Sequence, residues 1–162
     1  MSRLLQRSSL VGCLLAATAA VAACGTGATG ACPGSEASTG TMTATIDGSA
    51  FEACITTGSN SDGVVAIIGQ AYDDIVPTQV QLTLLITEPG TYALGALDGE
   101  HQGRYTDGLE GDDTYLTFAE GGGTATFNTL DATSASGTFS FVARNDGGEV
   151  TVSDGAFDLT FD

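Results

Sequence analysis

Six of the chain's aspartates stand directly before a glycine: Asp47, Asp62, Asp98, Asp107, Asp146 and Asp154. Asp-Gly is a strong tight-turn pair, because glycine takes positive φ without steric cost and the carboxylate can bond nearby amides. The stretches between these pairs alternate apolar and polar residues and lack a helical period. A chain punctuated in this way is predicted to be antiparallel and all-β. The six pairs also give much of the acidity a structural cause, so the acid count alone argues little for a binding site.

The alternation can be followed strand by strand. Met42, Ala44 and Ile46 share one face of a first strand, with Thr43 and Thr45 opposite. Phe51, Ala53 and Ile55 then alternate with Glu52, Cys54 and Thr56. Val64 to Tyr72 is apolar on both faces, which predicts a central, well-covered strand. Val80, Leu82, Leu84 and Ile86 alternate with Gln79, Gln81 and Thr83, the pattern of a half-buried strand. Glu88-Pro89-Gly90 predicts a turn, and Thr91 to Leu94 a returning strand. Residues 95–113 are polar and rich in glycine, and read as a long loop with one short strand near Arg104-Tyr105-Thr106. Strands resume at Thr114 to Phe118, at Thr124 to Leu130, around Phe139 and Phe141, at Val150 to Val152 and at Phe157 to Phe161. Turns are expected at Asn145-Asp146-Gly147-Gly148 and at Ser153-Asp154-Gly155. The sum is eight or nine strands joined mostly as sequential hairpins. The expected fold is an antiparallel β-sandwich or a barrel-like, calycin-like meander.

The first residues have a different character. Arg3 and Arg7 form a basic start, Leu10 to Ala20 an apolar run, and small residues precede Cys24. That is signal-peptide architecture, and the uncharged stretch from Ser8 to Ala23 is too short for a comfortable membrane span. Val21-Ala22-Ala23-Cys24 resembles the lipobox of bacterial lipoproteins. The resemblance implies cleavage before Cys24, a diacylglyceryl thioether on its sulfur and an acylated amine; two or more acyl chains anchor stably. The plainer alternative is an ordinary signal cut after an alanine. Gly25, following the cysteine, favours the outer membrane in a Gram-negative envelope. The organisation expected is a signal over 1–23, a Gly/Thr/Ala/Ser tether over 24–40 and one all-β domain over 41–162, large enough to bury its own core.

Charge narrows the partners. Twenty acids face four bases, Arg3, Arg7, Arg104 and Arg144, and every acid lies beyond Cys24. Once the signal is removed, two arginines remain. Nucleic acid and anionic lipid surfaces are excluded as partners, since both are bound through basic patches. A cation or a basic protein is compatible. Cys32 and Cys54 are left as an even pair, as expected of an exported protein; a disulfide between them would contribute about 3 kcal/mol on the chain-entropy model and pin the tether to the domain. Two free thiols, or Cys54 packed as a small apolar residue, are the alternatives. One histidine and two spare cysteines do not make a zinc site.

Candidate sites are few. Asp107, Glu110, Asp112 and Asp113 offer oxygen ligands for a weak calcium site, although their spacing has no EF-hand register and a solvated loop is the plainer explanation. His101 is the only histidine, flanked by Glu100 and Gln102, and no G-x-S-x-G nucleophile motif accompanies it. No carboxylate pair stands out for glycoside hydrolysis, and the chain lacks the tryptophan that commonly stacks on sugars. Gly121-Gly122-Gly123 leads into a strand with no lysine nearby, so it reads as a loose turn or bulge and not as a phosphate loop. Phe127, Phe139, Phe141, Phe157 and Phe161 would line a cavity if the sheet closed as a hollow barrel, and would fill a core otherwise.

Three segments carry a resemblance. They are Thr43-Ala44-Thr45-Ile46-Asp47-Gly48-Ser49-Ala50-Phe51, then Pro89-Gly90-Thr91-Tyr92-Ala93-Leu94, and finally Ser136-Gly137-Thr138-Phe139-Ser140-Phe141 with Val150-Thr151-Val152-Ser153-Asp154-Gly155-Ala156-Phe157-Asp158-Leu159. Together they resemble a group of uncharacterised bacterial lipoprotein β-domains, in which Phe51 is often replaced by tryptophan. The resemblance implies the fold and brings no activity or site residues with it. The expected function is a lipid-anchored, non-catalytic envelope domain with a structural or binding role toward an envelope protein or small apolar ligand. A carrier of an apolar molecule in a barrel cavity and a weak calcium-dependent surface-binding module are the alternatives, with a hydrolase last. No cofactor other than calcium is expected.

Overall fold

In the structure, a computed structural model, residues 38–73, 76–95, 99–108, 114–118 and 121–161 are described. They form β1 (Gly40–Ile46), β2 (Ser49–Glu52), β3 (Ile55–Ser61), β4 (Val64–Asp73), β5 (Val76–Leu85), β6 (Gly90–Leu94), β7 (His101–Asp107), β8 (Thr114–Leu116), β9 (Gly122–Leu130), β10 (Ser134–Asn145) and β11 (Gly148–Thr160). Pairing is antiparallel throughout, in the order β2-β1-β11-β10-β8-β7-β5-β4-β3, with β9 and then β6 branching from β10. The fold is therefore all-β and sandwich-like, with eleven strands where eight or nine were expected, and the sheet is not closed into a barrel.

The branch at β10 makes the two layers. One edge of β10 takes β9 along Ala135 to Val142 and β8 only at Arg144. Beyond that junction β8-β7-β5-β4-β3 folds over β6-β9-β10-β11-β1-β2. Alternation then fills the space between. Val65, Ile67, Val80, Leu82 and Leu84 point in from one layer; Met42, Ala125, Phe127, Phe141, Val152 and Leu159 point in from the other. The layers touch most closely at glycines: a Cβ on Gly69 would lie 2.5 Å from the Met42 sulfur, and one on Gly103 would lie 2.9 Å from the Phe141 ring. Removing this apolar surface from water is the main drive for folding, at roughly 25 cal/mol per Å².

At the seam where β3 approaches β1 and β11, hydrogen bonds replace a full ladder. Thr39 N donates to Thr56 O at 2.8 Å, and Thr160 N donates to Thr39 O at 2.9 Å. Asn60 Nδ2 reaches Asp131 O at 3.2 Å. The Thr56 hydroxyl is buried there without a partner.

Five Asp-Gly pairs fall wholly within the described residues, and they divide. Asp107-Gly108 closes β7, with Gly108 at a φ of 110°. Asp47-Gly48 and Asp62-Gly63 both take positive φ at each position (47° and 82°, 53° and 80°), the twist that joins hairpin strands without splaying them. Asp146-Gly147 turns β10 into β11, with Asn145 Oδ1 accepting from Gly147 N at 2.8 Å. Asp154-Gly155 is no turn. Asp154 (φ 50°) sits inside an unbroken β11 as a bulge, and the register to β10 jumps from Phe139↔Gly155 to Phe141↔Val152.

Other expectations are also corrected. The strand read through Phe51 to Thr56 breaks at Ala53-Cys54, where β2 ends and the chain crosses to the other layer as β3. The outward positions of β4 are only half-covered, because no third layer of described residues lies over them. Thr91 to Leu94 does not return beside β5; as β6 it crosses over to pair β9. Residues 101–107, read mostly as loop, form β7 and pair β5 over its length.

Candidate functional site

A shallow depression of about 470 Å³ lies on the outer face of β9, β10 and β11. Its walls follow from alternation. Ala125 and Phe127 point inward, so Thr124 and Thr126 point out; Phe139 and Phe141 point inward, so Thr138 and Ser140 point out. The Asp154 bulge breaks that rhythm on β11 and adds a carboxylate and Ala156 to the rim. Phe139 and Gly155 also line it, and a Cβ at Gly155 would stand 2.5 Å from the Phe139 ring. Thr126 Oγ1 lies 2.9 Å from Thr91 Oγ1 of β6. The site is thus hydroxyl-lined with one carboxylate. It can exchange hydrogen bonds with a polar ligand.

The residues singled out from the sequence are dispersed. Asp107 ends β7 and accepts from Thr78 Oγ1 at 3.2 Å. Beside it, the Tyr105 phenol is pushed up to about 12, first by burial and then by the carboxylates of Asp107 and Asp47. Glu110, Asp112 and Asp113 lie outside the described residues, among which no group of three or more acids, histidines or cysteines is placed to hold a metal. Cys24 and Cys32 lie outside them too. Cys54 is disulfide-bonded, to a partner beyond the described residues. Phe127, Phe139, Phe141 and Phe157 are buried against one another, with centroids 5.1 Å apart for Phe127 and Phe157 and 6.2 Å for Phe139 and Phe141. Phe161 is half-buried at the core's edge near Gly58. His101 faces inward at one end of the sandwich. Its Nε2 is 3.3 Å from Leu85 O, and its ring meets Tyr92 edge-on at 5.3 Å.

A model of a domain of unknown function matches residues 38–158, well over half of the sequence. The chain belongs to the DUF6252 family. No curated protein and no solved structure matches it. The DUF6252 match opens at Ser38 and takes in every strand from β1 to the main part of β11, so the core and the hydroxylated depression both belong to the family domain. Residues 1–37 precede it.

Sequence reasoning did not find the depression of the DUF6252 domain. The outward Thr124-x-Thr126 and Thr138-x-Ser140 pairs were visible, yet nothing in them reveals that β9, β10 and β11 are adjacent. The decisive feature, a bulge at Asp154, has the same sequence as a turn.

Proposed function

We propose that this chain is a lipid-anchored protein of the bacterial envelope whose DUF6252 domain is a non-catalytic binding module. One observation carries the reading: the family domain begins at Ser38, near the end of the Gly/Thr/Ala/Ser tether over 24–40, and the signal-like segment with Cys24 lies behind it. The leash enters the fold at a reinforced point. Ser38 and Thr39 are hydrogen-bonded to Thr56 of β3, and Thr39 O accepts from Thr160 at the end of β11, so tension from an anchor is shared by strands of both layers. The disulfide at Cys54 lies two residues from Thr56. The binding role is supported by the hydroxyl-lined depression, and by the engagement of the sole histidine in structural contacts with Tyr92 and Leu85.

The test is metabolic labelling of the full-length chain in bacterial cells with radiolabelled palmitate, followed by membrane fractionation. The chain should take up label and sediment with membranes, and Cys24→Ala should lose both properties. Absence of label from the unaltered chain, or label persisting in Cys24→Ala, would overturn the anchor.

A further inference from the structure

The two outer faces of the sandwich differ in charge. On the β9-β10-β11-β1-β2 side, outward positions include Glu52, Glu149, Asp154 and Asp158. On the side formed by β3, β4, β5, β7 and β8, register and alternation leave no outward carboxylate among the described strand residues. Four glutamines stand there instead: Gln70 and Gln79 are paired across β4 and β5, Gln81 lies opposite Arg104, and Gln102 is beside it on β7. Ile68 and Leu116 flank the Gln81–Arg104 pair, and Val64 and Leu85, 42% and 48% exposed, form an apolar pair at one end.

From this we infer that the acid-free face is where two copies of the chain pair. A two-fold interface places the same patch on both partners, so it must be complementary to itself. Carboxylates are not, since like charges repel on contact. Glutamine amides are, because each carries both donors and an acceptor. On the opposite face two copies would bring acids together; here they bring amides, hydroxyls and aliphatic side chains. The size also fits. Strands of three to ten residues, spaced about 4.8 Å apart and rising about 3.3 Å per residue, give roughly 600 Å² of flat face, the order of the ~800 Å² per partner in stable interfaces. An anionic polymer is the poorer occupant. The face offers Arg104, whose Nε is already committed to Thr106 Oγ1, and at its border Arg144, which is paired with Glu149. Such binding draws on several free cations. The pairing does not depend on the proposed anchor or on the depression.

The experiment is thiol crosslinking of the full-length chain in cells. Gln81→Cys, at the centre of the face, should yield a species of twice the mass with a short bismaleimide, whereas Thr138→Cys on the opposite face should not. Adding Thr83→Glu to Gln81→Cys should cut the crosslinked fraction at least tenfold while the thermal melt stays cooperative. Ile68→Glu provides a second break if Thr83→Glu perturbs folding. The inference fails if Gln81→Cys reacts with a maleimide dye yet forms no dimer, if both faces crosslink equally, or if the crosslink joins a different protein.

Discussion

Thr56 and Tyr105 are buried polar groups with opposite standing. The Thr56 hydroxyl lies in the seam between β3 and β1 with its side chain fully buried and no hydrogen-bond partner. A hydroxyl moved out of water without compensation costs of the order of 1–3 kcal/mol, whereas an isosteric methyl there costs nothing of the kind. Thr56→Val should therefore stabilise the fold, by about 1 kcal/mol, read as a rise in the urea midpoint at unchanged slope. Tyr105 is satisfied and resists ionisation instead, since burial and the Asp107 and Asp47 carboxylates hold its pKa near 12. In the unfolded chain the phenol ionises near 10. Below that pH both states keep the proton and stability is unaffected. Between about 10 and 12 only the unfolded state loses it, and the fold loses roughly 2 kcal/mol. A tyrosinate absorbance titration should contain a late step that Tyr105→Phe removes together with the alkaline loss of stability.

The turn between β9 and β10 and the bulge in β11 show how far strand-level structure can be read from sequence. Asp131 organises the turn: its Oδ1 accepts from Thr133 N at 2.7 Å and from Ser134 N at 2.8 Å, and its Oδ2 accepts from Ser134 Oγ at 3.0 Å. These bonds, the one from the Thr133 amide foremost, hold its carboxyl below the usual range. The stabilisation is present above the unfolded carboxyl pKa and is lost as pH falls through the folded one. Between pH 6 and 3 the urea midpoint should therefore fall further for the unaltered chain than for Asp131→Asn, which has no charge to lose. Gly155 is constrained by space, because an added Cβ would meet the Phe139 ring at 2.5 Å. Gly155→Ala should cost about 1–3 kcal/mol, measured by the same unfolding. At Gly48, by contrast, an alanine has open space and meets only the positive φ. Strands with large inward residues, such as Val80, Leu82 and Leu84 of β5, were legible from alternation. β7 was not, because two of its inward positions are His101 and Gly103, and Gly103 is small only to admit Phe141 from the facing layer. Turn and bulge at Asp-Gly were indistinguishable because both call for the same left-handed aspartate. The depression inherited that ambiguity, since its rim is the bulge.

Beyond Cys24 the chain sets twenty acids against two arginines, so the folded domain works against its own charge. Among the described residues, Arg144 pairs with Glu149 on the surface, where both side chains are more than 40% exposed and the pair contributes at most about 1 kcal/mol. Added salt should screen far more repulsion than attraction, as the Debye length shrinks from about 30 Å at 0.01 M to about 10 Å at 0.1 M. The melting temperature of the folded chain should therefore rise with sodium chloride over that range, by about 5 °C if the screening relieves roughly 1 kcal/mol. A melting temperature that fell with salt would mean that ion pairs, and not self-repulsion, dominate the balance. The same titration run with calcium chloride at matched ionic strength separates screening from binding. Diffuse carboxylates respond to ionic strength and only weakly to which cation supplies it, whereas a set of converging oxygens from Asp107 and the acids that follow it would favour calcium specifically. Coincident sodium and calcium curves are the expected outcome, because Asp107 already accepts from Thr78 at the end of β7. A calcium excess that disappears in an Asp112→Asn, Asp113→Asn double variant would reverse that expectation and make the acidic stretch a ligand site.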